Sequence, residues 1–95
     1  MHTEQLAPMK PAILAMTERR RAPRLSNREL EVLRAWVLTD SKQAAASQLF
    51  ITPATVNTHI TRIRTKYADL GRPATTKATL LARAIQDGVI NLDDL

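Results

Sequence analysis

Between Asp40 and Asp69 the chain has no acidic residue, while Lys42, Arg62, Arg64 and Lys66 all fall in that interval beside Asn57, Thr58 and Thr61. Short hydroxyl and amide side chains allow close approach to the edges of nucleic-acid bases, and neighbouring cations suit phosphates or guanine. A solvated helix face has the same composition, so residue type alone does not decide between the two. Enzymatic sets are missing from the sequence: there are no paired carboxylates, no nucleophile with a base and no phosphate-cradling glycine loop, and Asp93-Asp94 reads as a solvated tail. With no cysteine and only His2 and His59 as histidines, neither a metal site nor a cofactor is expected.

The spacing predicts a helix from Thr52 to about Ala68. Val56, Ile60, Ile63 and Tyr67 recur at i, i+4, i+7 and i+11, one narrow face at about 100° per residue. Thr52 reads as its N-cap and Pro53 as its first residue, where a missing N–H costs nothing. With Val56 on the core, the far face carries Ala54, Thr58, Thr61 and Thr65, flanked by Asn57 on one side and by Thr55 and Arg62 on the other.

The elements that must position this helix are also legible. Ser26-Asn27-Arg28-Glu29 matches a capping box, with Leu25 and Leu30 as its hydrophobic staple and Leu33 and Val37 continuing a buried stripe. Thr39-Asp40-Ser41 breaks that helix and caps a second, about Lys42 to Leu49, with Ala45 and Leu49 inward and Phe50-Ile51 as the turn. A short helix, a tight turn and a capped second helix form the scaffold that presents a recognition helix to the major groove.

After Gly71-Arg72-Pro73 a fourth helix is expected from roughly Thr75 to Asp87, closed by Gly88, with Ala78, Leu81, Ala82 and Ile85 facing the core. Leu80 and Ala84 are then left over. With Lys77 at the end of their face, they are expected to form a small two-fold dimer contact, the alternative being that Leu80 packs under the 68–74 loop of its own chain.

Ninety-five residues allow one small domain. Few aromatic residues and almost no glycine favour an all-α fold. The net charge of +5 permits a polyanionic partner without demanding one. No apolar run approaches the roughly 20 residues of a membrane span, and a cytoplasmic location is expected. Residues 1–24, with three prolines and the basic run Arg19-Arg20-Arg21, read as a flexible tail or interdomain linker, 25–91 as the folded domain and 92–95 as a C-terminal tail.

The segment 25–33 (Leu-Ser-Asn-Arg-Glu-Leu-Glu-Val-Leu), Ser41-Lys42, the segment 51–60 (Ile-Thr-Pro-Ala-Thr-Val-Asn-Thr-His-Ile), Ile63, Lys66 and Gly88-Val89-Ile90 together resemble the LuxR/GerE-type four-helix DNA-binding domain of bacterial response regulators. That resemblance implies base reading by Asn57, Thr58 and Thr61, and backbone contacts from Lys42, Thr55, His59 and Lys66. Arg62 is expected to join the base-reading set and Arg64 the phosphate set. His59 flanks the buried stripe, so a structural hydrogen bond competes with a phosphate contact, and Lys66 beside Tyr67 has a packing alternative. The resemblance also makes the fourth helix the usual dimer contact.

Three departures stand out: Asn57 where many relatives have lysine, Ala44-Ala45 where a Glu-Ile pair is common, and a 68–74 loop about five residues longer than is typical. A phosphoacceptor domain of about 120 residues does not fit before Ser26, so a receiver or sensor domain would lie outside this chain. The expected partners are double-stranded DNA and a second copy of the chain, with no membrane and no small-molecule ligand. A sigma-factor-like promoter-binding domain and a protein-interaction adaptor are the alternatives.

Overall fold

The structure, a computed structural model, describes residues 21–95; expectations for residues 1–20 lie outside the described residues. The described part is all-helical: α1 (Asn27–Val37), α2 (Lys42–Leu49), α3 (Pro53–Asp69), α4 (Lys77–Gln86) and a closing 3-10 turn (Leu92–Asp94). Each helix starts where a side chain can satisfy an orphan amide. Ser26 and Glu29 form the reciprocal capping box of α1, while Ser41, Thr52 and Thr76 accept from the Ala44, Thr55 and Thr79 amides.

The core is apolar and contributed by all four helices. Val32 and Leu33 of α1, Ala45 and Ala46 of α2, the Val56, Ile60, Ile63 and Tyr67 stripe of α3, Leu80 and Ala84 of α4, and Ile90 are its buried centre. Helix α1 packs against each of the other three, and α4 rests chiefly on α1. At the α2–α3 turn Phe50 adopts a left-handed conformation with φ 57° although it is not glycine, and its side chain is 95% exposed. The Ile51 amide donates back to the Ala46 carbonyl at 3.1 Å and closes the turn.

Three expectations need correction. Helix α4 begins at Lys77 behind the Thr76 cap, not at Thr75, and it is rotated relative to the expected core stripe. Leu80 and Ala84 are 0% exposed, whereas Ala78 and Ala82 face outward and Leu81 and Ile85 are half-buried. The proposed dimer set of Lys77, Leu80 and Ala84 therefore belongs to the monomer. Lys77 donates to the Thr39 carbonyl and lays its ammonium 4.4 Å from the Trp36 ring centroid. With Leu80 fully buried, Leu81 and Ile85 still pack half-buried against the core, so this rotation brings three large apolar side chains to it and leaves Ala78 and Ala82 outward.

The second correction concerns residues 21–24, read as part of a free tail. Their backbone is held: Arg72 Nη1 donates to the Arg21 carbonyl at 2.6 Å and Lys66 Nζ to the Arg24 carbonyl at 2.8 Å. The third concerns the C-terminus. Residues 92–94 form a turn in which the Asn91 amide donates to Asp94 Oδ2 at 3.0 Å, rather than a trailing tail.

Candidate nucleic-acid interface

The apolar stripe of α3 fixes which way its other side chains point. Because Val56, Ile60, Ile63 and Tyr67 are fully buried, Asn57, Thr58, Thr61 and Arg62 are all exposed, together with Ala54 and Thr65. The structure thus gathers the four expected base-reading residues on one open surface of the helix.

Two of the hydroxyls have defined polarity. Thr58 Oγ1 donates its proton to the Ala54 carbonyl at 3.1 Å, which leaves a methyl group and oxygen lone pairs outward. Thr65 does the same with the Thr61 carbonyl at 3.0 Å. At the start of α3 the Thr52 and Thr55 hydroxyls share a 2.9 Å hydrogen bond, and Thr52 Oγ1 also accepts from the Thr55 amide at 3.1 Å. The Val56 amide donates to the Thr52 carbonyl at 3.0 Å. Pro53 has no N–H, so among the described residues only the Ala54 amide of that first turn lacks a partner.

The cations divide into two groups. Lys42, at the start of α2, extends its ammonium to Asn57 Oδ1 on α3 and lies 5.8 Å from the Trp36 ring centroid. Arg62 and Arg64 make no ion pair among the described residues. Arg64 is half-buried with its Nε unpartnered among them, beside Thr61, Thr65 and the Pro73–Thr75 strand of loop.

Lys66 differs from the expectation of a free phosphate cation. Its ammonium donates to Glu29 Oε1 at 2.7 Å, with the Glu29 side chain only 6% exposed, and so braces α3 against the start of α1. Burial alone would raise the Glu29 carboxyl pKa, but Lys66 and the Ser26 amide and hydroxyl together hold it below its ordinary value. The packing alternative for Lys66 is the one this geometry favours. His59 is half-buried, and its Nδ1 is buried with no partner among the described residues, so of the two alternatives for it the structural hydrogen bond is not made by that nitrogen there. No group of three or more His, Cys, Asp or Glu able to hold a metal occurs among the described residues.

Compared with known protein families, residues 23–70 match the family described as bacterial regulatory proteins, luxR family, over about half of the chain. The chain belongs to the LuxR family. As a LuxR-family helix-turn-helix domain it is a DNA-binding regulatory domain. Searches of curated proteins and of solved structures found no match. The LuxR match takes in α1, α2 and α3 and stops at residue 70, before the long loop and α4. No described helix is long and apolar enough to cross a membrane.

Beyond residue 70 lies a buried, charged side chain that sequence reasoning missed. Arg72 is buried, donating to Asp87 Oδ1 at 2.8 Å and to Gln86 Oε1 at 3.0 Å, with Arg72 and Asp87 side chains 7% and 2% exposed. Its guanidinium lies 5.2 Å from the Tyr67 ring centroid, and the Tyr67 hydroxyl donates to Asp87 Oδ2 at 2.7 Å. This network bolts the end of α4 to the end of α3. Burial first, and then the Asp87 carboxylate, push the Tyr67 hydroxyl well above its ordinary pKa. The Gly71-Arg72-Pro73 triplet signalled a turn, and nothing local signalled that the arginine between two turn residues is a core group.

Proposed function

We propose that this LuxR-family domain is a transcription regulator that reads duplex DNA by sequence, with α3 in the major groove. The observation that carries the reading is the exposed α3 surface: Asn57, Thr58, Thr61 and Arg62 stand together, with Lys42 and Arg64 at its edge and no acidic residue until Asp69. Short polar groups at the centre read base edges, and cations around them meet phosphates or guanine. Thr55, His59 and the Ala54 amide at the helix start join Arg64 in holding the backbone, where the positive end of the helix dipole favours a phosphate.

The regulator acts in the cytoplasm, takes its control from a domain or partner outside this chain, and uses no cofactor. It binds as a homodimer on two half-sites. The outward stripe of α4, Ala78 and Ala82 beside half-buried Leu81 and Ile85, supports this pairing. So small a patch suits association on DNA more than in solution, since stable interfaces bury roughly 1,200 Å² or more.

Titration of the chain with duplexes selected from random DNA, at several salt concentrations, tests the reading. Log affinity should fall linearly with log salt, with a tight preference for the selected site over random sequence. Absent or salt-insensitive binding would instead point to a protein-interaction adaptor. Ala82→Glu should abolish cooperative binding to paired half-sites while leaving single half-site affinity intact. Unchanged cooperativity would place the dimer contact elsewhere.

A further inference from the structure

The first two turns of α3 contain no lysine or arginine of their own. The structure delivers one from another helix. Lys42 sits at the first position of α2, and its ammonium donates to Asn57 Oδ1 across fifteen residues of sequence. The Lys42 ammonium also lies 5.8 Å from the centroid of the Trp36 ring, near the end of α1. Lys42 is half-exposed and Asn57 exposed, so the pair faces outward.

This contact changes what Asn57 can read. An asparagine recognises adenine by accepting from N6–H with its carbonyl oxygen while donating to N7 with its amide nitrogen. Here the carbonyl oxygen already accepts from an ammonium. An adenine amino group approaching the same oxygen would meet a second donor that also has a full positive charge. Asn57 Oδ1 keeps one lone pair, but beside a full positive charge, so what the pair presents outward is dominated by donors: the Asn57 amide N–H groups and the remaining ammonium N–H groups of Lys42. Of the four base edges in the major groove, guanine alone offers two adjacent acceptors, O6 and N7.

We propose that Lys42 and Asn57 act as one composite donor pair selecting guanine, with Lys42 a specificity-determining residue rather than a phosphate contact. The inference rests on the DNA-reading function proposed above and reverses the adenine preference that Asn57 by itself would suggest. It also explains how a recognition helix without a cation in its first turns keeps a positively charged tip.

The test is selection of bound sites from randomised duplexes by the wild-type chain and by Asn57→Ala, Lys42→Met and Lys42→Arg, each first checked for an unchanged melting temperature. The base pair under the pair of residues is the one whose preference relaxes in Asn57→Ala. At that position the wild type and Lys42→Arg should select guanine, and Lys42→Met should shift preference from guanine toward adenine by about tenfold or more. Adenine selected by the wild type, or an equal loss on all four bases in Lys42→Met, overturns the proposal while leaving sequence-specific binding standing. Wild-type protein that selects no sequence at all refutes the DNA-reading function itself, and this proposal with it.

Discussion

The two ends of α3 handle charge in opposite ways. Toward its start and along its open face, Lys42 and Arg62 lie open to solvent or on an uncharged amide, and no carboxylate approaches them among the described residues. At its end, Arg72 and Asp87 are withdrawn from water and pair with one another, with Tyr67 and Gln86 adding hydrogen bonds. Unpaired cations cost little when hydrated and remain available to an external anion. Paired, buried ions contribute nothing to an outside partner, but they are intolerant of losing either member. One end of the helix is thus arranged for binding and the other for holding the frame.

The largest test of that contrast is Arg72→Ala. It leaves the Asp87 carboxylate buried without its cation and should cost about 3–5 kcal/mol of stability, read from denaturant unfolding. Arg62→Ala, on the open face, should leave unfolding unchanged. A loss below about 1 kcal/mol for Arg72→Ala would mean that Asp87 behaves as an exposed, solvated ion.

Next in size is Leu80→Ala, expected to cost about 2–5 kcal/mol because the side chain is fully buried. Ala82→Glu, two residues on, should leave stability nearly untouched. If the two results were exchanged, α4 would have the rotation that its sequence first suggests, with Leu80 outward.

That rotation marks where legibility ended. The register of α3 was readable because its signals are local: a threonine cap, a proline at the first position and four apolar residues on one face. Helix α4 offers a four-residue apolar stripe, Ala78-Leu81-Ala82-Ile85, and a two-residue one, Leu80-Ala84; local periodicity points to the longer, and the shorter is the one fully buried. The choice is made by contacts distant in sequence. Lys77 reaches the Thr39 carbonyl and the Trp36 ring, and Asp87 receives Arg72 and Tyr67. In the same way, the exposure of all four expected base-reading residues followed from the α3 pattern. The Lys42–Asn57 and Lys66–Glu29 contacts join different helices and needed the fold.

A smaller effect of opposite sign is expected at the α2–α3 turn. Phe50 holds a left-handed backbone conformation that costs a side-chain-bearing residue about 1–2 kcal/mol, and its ring, 95% exposed, returns little burial. Phe50→Gly should therefore raise stability by up to about 1 kcal/mol, once the greater freedom of an unfolded glycine is subtracted. Destabilisation in the same assay would show that the ring packs against the chain after all.

The finest distinction is between two cations one turn apart on α3, Arg62 and Lys66. Arg62 is exposed and has no ion-pair partner among the described residues, so Arg62→Ala should lower the slope of log affinity against log salt by about one unit. Lys66→Met should leave that slope unchanged, because its ammonium is already held by Glu29. Its signature lies in acid instead. The folded pKa of Glu29 is depressed, so the carboxylate contributes stability that is fully present above its unfolded value of about 4.3 and is lost as pH falls through the lower folded value. In Lys66→Met burial acts on Glu29 with less opposition, so its folded pKa moves back toward the unfolded value and the acid decline of the melting temperature should be shallower than in the wild type. Glu29→Gln should flatten that part of the decline altogether, since no carboxylate remains to be protonated. A Lys66→Met variant whose melting profile overlays the wild type, and whose salt slope drops by one, would return Lys66 to the phosphate backbone and leave Glu29 as a capping residue alone.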